Sequence, residues 1–143
     1  MKRVFLWMVL TLFLTSGPVS SEEKSSAPRI VQKALKQYGV KGSEGFMHTL
    51  LGGSPVDTGQ NVQFLAGELK QVETAYGKYM GYGGVRKVVV SPLTALFFIV
   101  IHYEHGPLFS ISTLYGEVGK EVVVGFDFHT EISKLEGVSP FFD

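Results

Sequence analysis

The residues best suited to chemistry lie in the run HYEH (102–105), within the apolar segment 97–109. Two histidines and a glutamate this close together are typical of a metal site or of an acid–base pair. The segment is rich in β-branched and aromatic residues, which favours a strand over a helix. Neighbouring side chains of a strand alternate between its faces, so His102 and His105 cannot bind one ion unless the turn bends His105 back. No metal is therefore predicted, and His105, just before Gly106-Pro107, is predicted to be an exposed turn residue.

The remaining polar side chains form a conditional ligand-binding site. His102 and Glu104 share one face of the predicted strand, about 6.5–7 Å apart. Asp127 and His129 share one face of the last predicted strand. If these four side chains lie on the same side of the sheet, they form a polar cluster that could hold a small ligand. Tyr82 either lines the mouth of such a pocket or caps the edge of the core. The alternative is a half-buried sheet with a polar outer face, which needs only alternation. No residue is assigned a catalytic role.

Strand register decides what surrounds this cluster. Alternation places Val122, Val124, Phe126 and Phe128 on the face toward the helices, and Val123 and Gly125 on the face of Asp127. Gly106-Pro107 indicates a turn but does not determine the number of residues in the loop. Adding or removing one loop residue would change which side chains of the next strand lie on the face of His102. Those side chains are either Phe109 and Ile111 or Ser110 and Ser112.

Three helices are predicted before the strands, from apolar residues spaced three and four apart. Ser26 caps the first helix, which ends at Gly39, and Ser43 caps a short second helix. The third and longest helix ends at Gly81. Its apolar face consists of Val62, Leu65, Leu69, Val72, Tyr76 and Tyr79. Its cap is one of three polar residues: Asp57, Thr58 or Asn61.

From Val85 the period of the apolar residues changes from 3.6 to 2. Four strands separated by short turns follow, which is typical of an antiparallel meander. Helices followed by such strands predict an α+β fold, in which N-terminal helices, one of them long, pack on a curved four-stranded antiparallel meander.

The first 21 residues have the layout of a secretory signal peptide: Lys2 and Arg3, an apolar stretch from 4 to 14, then small residues. We predict cleavage after Ser21, export to the bacterial periplasm and no membrane association after cleavage; an uncleaved N-terminal anchor is the alternative. The predicted organisation is a signal peptide (1–21), a flexible lead (22–28), a single α+β domain (29–135) and a C-terminal tail (136–143).

Composition narrows the classes of function. The chain from Glu22 onward has 11 Lys and Arg against 13 Asp and Glu, a formal charge of −2. A near-neutral chain without a basic run gives no electrostatic basis for binding nucleic acid. Without cysteine there is no disulfide, thiol chemistry or thiolate metal site. No G-x-S-x-G turn supports nucleophilic catalysis, and no cofactor is predicted.

The order of elements, with the export signal, resembles small exported members of the nuclear transport factor 2-like superfamily. The resemblance rests on QVETAYGKYMGYGGV (71–85), HYEHGPLFSISTLY (102–115) and VVVGFDFHTE (122–131). It implies a cone-shaped domain in which a bent sheet wraps around a long helix. The aromatic residue that often opens the last strand of such domains is replaced here by Glu121 and Val122. The superfamily has no invariant catalytic signature, so the resemblance implies a fold and leaves the activity open.

Three functions are compatible with these patterns. The first is a non-enzymatic module that binds a small apolar or peptide-like ligand or another envelope protein. The second is a small enzyme with His102 or His129 as general base and Asp127 or Glu104 as its orienting partner. The third is a homodimer that pairs through the open face of the sheet.

Overall fold

The computed structural model describes residues 26–136 and 138. In this part of the chain the sheet has strand order β1-β2-β3-β4, and every neighbouring pair is antiparallel. The predicted α+β class, with helices before a four-stranded antiparallel meander, is confirmed. The predicted signal peptide, residues 22–25 and most of the predicted tail lie outside the described residues. The elements are α1 Arg29–Leu51, α2 Gly59–Tyr76, β1 Tyr79–Ser91, β2 Thr94–Tyr103, β3 Gly106–Tyr115, β4 Val122–His129 and a short 3-10 helix Ile132–Lys134.

Helix α1 consists of two helical segments, as predicted, but the break lies at Gly42 rather than at Gly39. The sequence prediction ended a first helix at Gly39, but helical backbone continues through Gly39 and breaks at Gly42. Gly42 has φ 69° and ψ −162°, a conformation that side-chain-bearing residues rarely adopt. Ser43, the predicted cap of the second helix, follows the bend directly and is buried. The bend allows both halves of α1 to pack on the sheet.

The N-terminal cap of helix α2 is one of the three predicted residues, but the helix ends earlier than predicted. The Thr58 hydroxyl accepts a hydrogen bond from the Asn61 amide at 3.2 Å, so Thr58 is the cap. The helix ends at Tyr76, and the Gly77 amide (φ 83°) donates to the carbonyl of Glu73. The predicted end at Gly81 is therefore wrong. Tyr79 is the first residue of strand β1 and packs against the same core from there.

The main core lies between the two helices and one face of the sheet. Alternation along β2 places four apolar or aromatic side chains on this face, as predicted. Leu50 of α1 and Leu69 of α2 are fully buried opposite them. The β2 and β3 contributions are Phe97, Ile99, Ile101, Tyr103, Leu108 and Leu114.

The opposite face of the sheet is more apolar than predicted. Phe98 of β2 and Ile111 of β3 are buried there beneath Leu135, which follows the 3-10 helix. Val138, from the predicted tail, also packs against this cluster. We call this the outer face. Chain beyond β4 therefore covers its centre.

Strand β4 contains an irregularity that alternation did not predict. Thr113 pairs with Gly125, whereas the next residue, Leu114, pairs with Val123, so β4 carries an extra residue at Val124. Such a bulge inverts the alternation on one side of itself. Val123 consequently faces the helices and is fully buried, so its predicted place on the face of Asp127 is wrong.

Candidate functional site

A two-residue loop joins β2 to β3. Tyr103 pairs with Gly106, which leaves Glu104 and His105 as the turn. This register places Phe109 and Ile111, not Ser110 and Ser112, on the face of His102. His105 is exposed in the turn, as predicted, and its backbone amide donates to the carbonyl of Tyr76 at 2.8 Å. The turn is thereby attached to the end of α2.

Glu104 does not share a face with His102. Strand β2 ends at Tyr103, and the turn directs the Glu104 carboxylate toward the end of α2. There Glu104 Oε2 accepts a hydrogen bond from the Lys78 backbone amide at 2.9 Å. The carboxylate lies against Gly77, where a Cβ would clash with it. The predicted His102–Glu104 pair is therefore wrong. It required strand alternation to continue through Glu104, but β2 ends at Tyr103.

His102, Asp127 and His129 all lie on the outer face but do not converge. His102 is exposed beside Gly83, and two strand spacings, about 10 Å, separate β2 from β4. His129 pairs with Phe109 rather than with Pro107, the partner of His102, so the two histidines are also offset along the sheet. The Asp127 carboxylate accepts from the adjacent backbone amide, and His129 Nδ1 accepts from the amide of Glu131.

A different group of residues surrounds a cleft at the other side of the sheet. The bend of α1, the end of α2, the start of β1 and the β2–β3 turn enclose about 610 Å³ there. This volume lies within the range of small-molecule sites, about 300–1,000 Å³. A recess beside His129 at the edge of β4 is smaller, about 280 Å³. The cleft is lined by Tyr38, Gly39, Gly42, Glu73, Gly77, Lys78, Tyr79 and Glu104.

Tyr38 and Tyr79 line the inner wall of the cleft, and Tyr103 lies behind them in the core. The hydroxyl oxygens of Tyr38 and Tyr103 lie 2.8 Å apart and share a hydrogen bond, and both side chains are buried. The Tyr79 ring stacks on Tyr38 with ring centroids 4.6 Å apart and an interplanar angle of 19°. Offset stacking of this kind holds both rings in fixed orientations.

The phenols of this wall stay protonated over a wide pH range. Burial, the neighbouring Tyr103 phenol and the Glu73 carboxylate raise the pKa of Tyr38 well above its ordinary value. Burial raises the pKa of Tyr103 to about 12, although its hydrogen bond with Tyr38 acts in the opposite direction. Burial also raises the pKa of Tyr79. The wall therefore presents neutral phenols beside a carboxylate at neutral pH.

The far end of the cleft is electronegative. Glu73 and Glu104 contribute two carboxylates, and the C-terminus of α2 adds the negative end of its dipole. Lys78 also lines this end; its backbone amide binds Glu104. Among the residues that line the cleft, two carboxylates and a helix C-terminus outweigh one ammonium group, so this end favours a cation.

A second recess adjoins the cleft along α1. It encloses about 580 Å³, and Gly39 and Tyr79 line both spaces. Tyr82, one of the predicted site residues, lies on its wall and is 41% exposed. The recess is lined by Arg29, Gln32, Lys33, Leu35, Lys36, Gly39, Tyr79 and Tyr82. Of the predicted site residues, Tyr82 and Glu104 thus line adjoining spaces, whereas the other three lie on the outer face.

The sequence carried one signal that points to the cleft. Tyr38 and Tyr79 lie at apolar-patterned positions of the N-terminal half, and Tyr103 lies in the apolar strand before the turn. A tyrosine at a buried position needs a partner for its hydroxyl group. Three such tyrosines in elements that share one core indicate a polar group among them.

The described residues contain no group of three or more His, Cys, Asp and Glu side chains placed to hold a metal ion. Over the same residues, no helix is both long and apolar enough to cross a membrane. The sequence matches no protein-family model, and neither curated proteins nor solved structures give a match.

Proposed function

We propose that the protein is a non-enzymatic module that binds a small ligand in the cleft between α1, α2 and the start of β1. The observation that carries this proposal is the lining of the 610 Å³ cleft, in which a stacked Tyr38–Tyr79 pair faces the carboxylates of Glu73 and Glu104. Ligand sites typically combine apolar or aromatic walls with a few oriented polar groups. The cleft has both features.

Binding is favoured over acid–base catalysis by the positions of the histidines. The enzyme hypothesis required His102 or His129 within hydrogen-bond reach of Asp127 or Glu104. Glu104 lies at the end of α2, and Asp127 and His129 each bind a neighbouring backbone amide instead. An enzyme in this fold would need to use the tyrosines and glutamates of the cleft.

We also propose export to the periplasm and a cone-shaped domain of the nuclear transport factor 2-like kind. The predicted signal peptide supports export. The order of two helices followed by a four-stranded meander, with α2 against the sheet, supports the cone. Register shifts in β1 between Gly83 and Arg86, and in β4 at Val124, support a curved sheet, since bulges bend strands.

A homodimer through the open sheet face is less favoured than ligand binding. Leu135 covers Phe98 and Ile111 at the centre of that face. The exposed apolar side chains at the β1–β2 turn, Val89, Val90 and Leu93, lie at one end of the sheet. A dimer through the centre would first require the C-terminal segment to leave.

A melting-temperature screen with conservative variants tests the proposed site. Compounds that bind the native state raise its melting temperature in proportion to affinity and concentration. We expect active compounds from a library of small aromatic amines and short peptides to lose their effect in Glu73→Gln. They should keep it in Asp127→Asn, a matched change on the outer face. Active compounds sensitive to Asp127→Asn but not to Glu73→Gln would contradict the proposal, and so would a library without active compounds.

A further inference from the structure

The two adjoining spaces along α1 carry opposite charge. Arg29, Lys33 and Lys36 line one recess, and no acidic side chain lines it. Spaced four and three residues apart, they lie on one face of α1. Within the described residues, the ion pairs join Lys120 to Glu117 and Lys134 to Glu131, so these three cations have no carboxylate partner there.

The Tyr79 ring lies beside Gly39 at the border between the acidic space and the basic one. Gly39 has no side chain, and the Tyr79 ring borders both spaces, so an extended molecule would pass over both. Beyond them lie Glu73, Glu104 and the C-terminus of α2, together with Lys78. Along the cleft the charge therefore changes from positive to negative, with aromatic surface between.

The distance between the basic and acidic ends determines how long a ligand that contacts both must be. From Lys36 to the bend at Gly42 the helix rises about 9 Å, and from Lys33 about 14 Å. An extended peptide of three or four residues spans about 10–14 Å. Its terminal ammonium and carboxylate groups would then lie at opposite ends of the gradient.

We infer that the cleft binds a short peptide with free termini, its ammonium group at Glu73 and Glu104 and its carboxylate at Lys33 and Lys36. A central side chain of the peptide would pack on Tyr79. The inference rests on the proposed function, since it names the ligand class of the same cleft. The inference also specifies the orientation of the peptide, because the reversed orientation would place like charges together at both ends of the cleft.

Calorimetric titration with the peptide Ala-Ala-Phe-Ala tests this orientation. Four forms are compared: free, N-acetylated, C-amidated and blocked at both ends. We expect acetylation and amidation each to weaken binding roughly five- to tenfold, as expected for loss of one charge-assisted hydrogen bond. Glu73→Gln should abolish the effect of acetylation alone, and Lys36→Gln the effect of amidation alone. Glu68→Gln on α2 and Lys120→Gln between β3 and β4, both outside the two spaces, are the controls and should abolish neither effect.

Equal affinity of the four forms would overturn the inference, as would the reversed assignment, in which Lys36→Gln abolishes the effect of acetylation. Failure of the free peptide to bind at millimolar concentration would overturn it as well. In each case the proposed function still stands if compounds from the melting-temperature screen lose their effect in Glu73→Gln. The two proposals therefore fail separately.

Discussion

The hydroxyl groups of Tyr38 and Tyr103 share a hydrogen bond of 2.8 Å that joins α1 to β2 across 65 residues of sequence. Both side chains are buried. Leaving one buried hydroxyl group unpaired costs more than removing both. The pair therefore fixes the position of α1 over the sheet and, with Tyr79, shapes the wall of the cleft.

A double-mutant cycle measures this bond. We expect Tyr38→Phe and Tyr103→Phe each to lower the free energy of unfolding by about 1–2 kcal/mol. The double variant should lose less than the sum of the two, because it leaves no unpaired hydroxyl group. Urea denaturation gives the three values, with Tyr115→Phe at an exposed position as the control. Strictly additive losses would show that the two phenols act independently.

Alkaline pH should destabilise the fold through the same phenols. The pKa of Tyr103 rises from 10.0 to about 12 on folding. The native state thus holds a proton that the unfolded chain releases, so this stabilisation is complete below pH 10 and is lost as pH rises through about 12. Two pKa units correspond to about 2–3 kcal/mol. Urea denaturation as a function of pH should show a smaller loss for Tyr103→Phe than for the native protein or Tyr115→Phe; equal losses would contradict the assignment.

Two glycines of α1 should respond oppositely to alanine. Gly39 is helical, and a Cβ there would contact the Tyr79 ring at an ordinary 3.8 Å, so Gly39→Ala should stabilise by about 0.5–1 kcal/mol. Gly42 has a conformation rarely open to alanine, and Gly42→Ala should destabilise by about 1–3 kcal/mol. Thermal unfolding of the two variants tests the position of the bend. A larger loss of stability from Gly39→Ala than from Gly42→Ala would indicate that the helix breaks at Gly39 instead.

Removal of the Leu135 side chain should uncover the outer face. Leu135→Ala is expected to cost about 2–3 kcal/mol, since it leaves Phe98 and Ile111 poorly covered. The exposed apolar surface should then promote self-association, which sedimentation velocity detects. Leu93→Ala, at an exposed apolar residue, is the control. A variant that remains as stable as the native protein would show that the C-terminal segment does not cover the face.

Much of the fold was predictable because local patterns determine it. Alternation in β2 predicts Ile101 and Tyr103 on the face opposite His102, and both are buried there. The apolar spacing of α2 correctly identified Val62 and Leu69 as core residues. Such patterns depend only on the period of one element.

The errors have a common physical cause, which is that tertiary packing chooses among locally equivalent options. Gly39 and Gly42 are both able to end a helix, and packing of the two halves of α1 selects Gly42. The bulge at Val124 changes which residues face the core without any sign in the alternation. The carboxylates of the cleft, Glu73 and Glu104, come from a helix and a turn that only the assembled fold brings together.

The central claim is that ligands bind in the cleft of Tyr38, Tyr79, Glu73 and Glu104. Its most direct test is a map of amide chemical-shift changes, from ¹H–¹⁵N correlation spectra of the protein titrated with an active compound from the melting-temperature screen. We predict that the largest changes fall within 38–42 and 73–79, the segments of α1, α2 and β1 that line the cleft. Largest changes within 122–129, on strand β4, would contradict it.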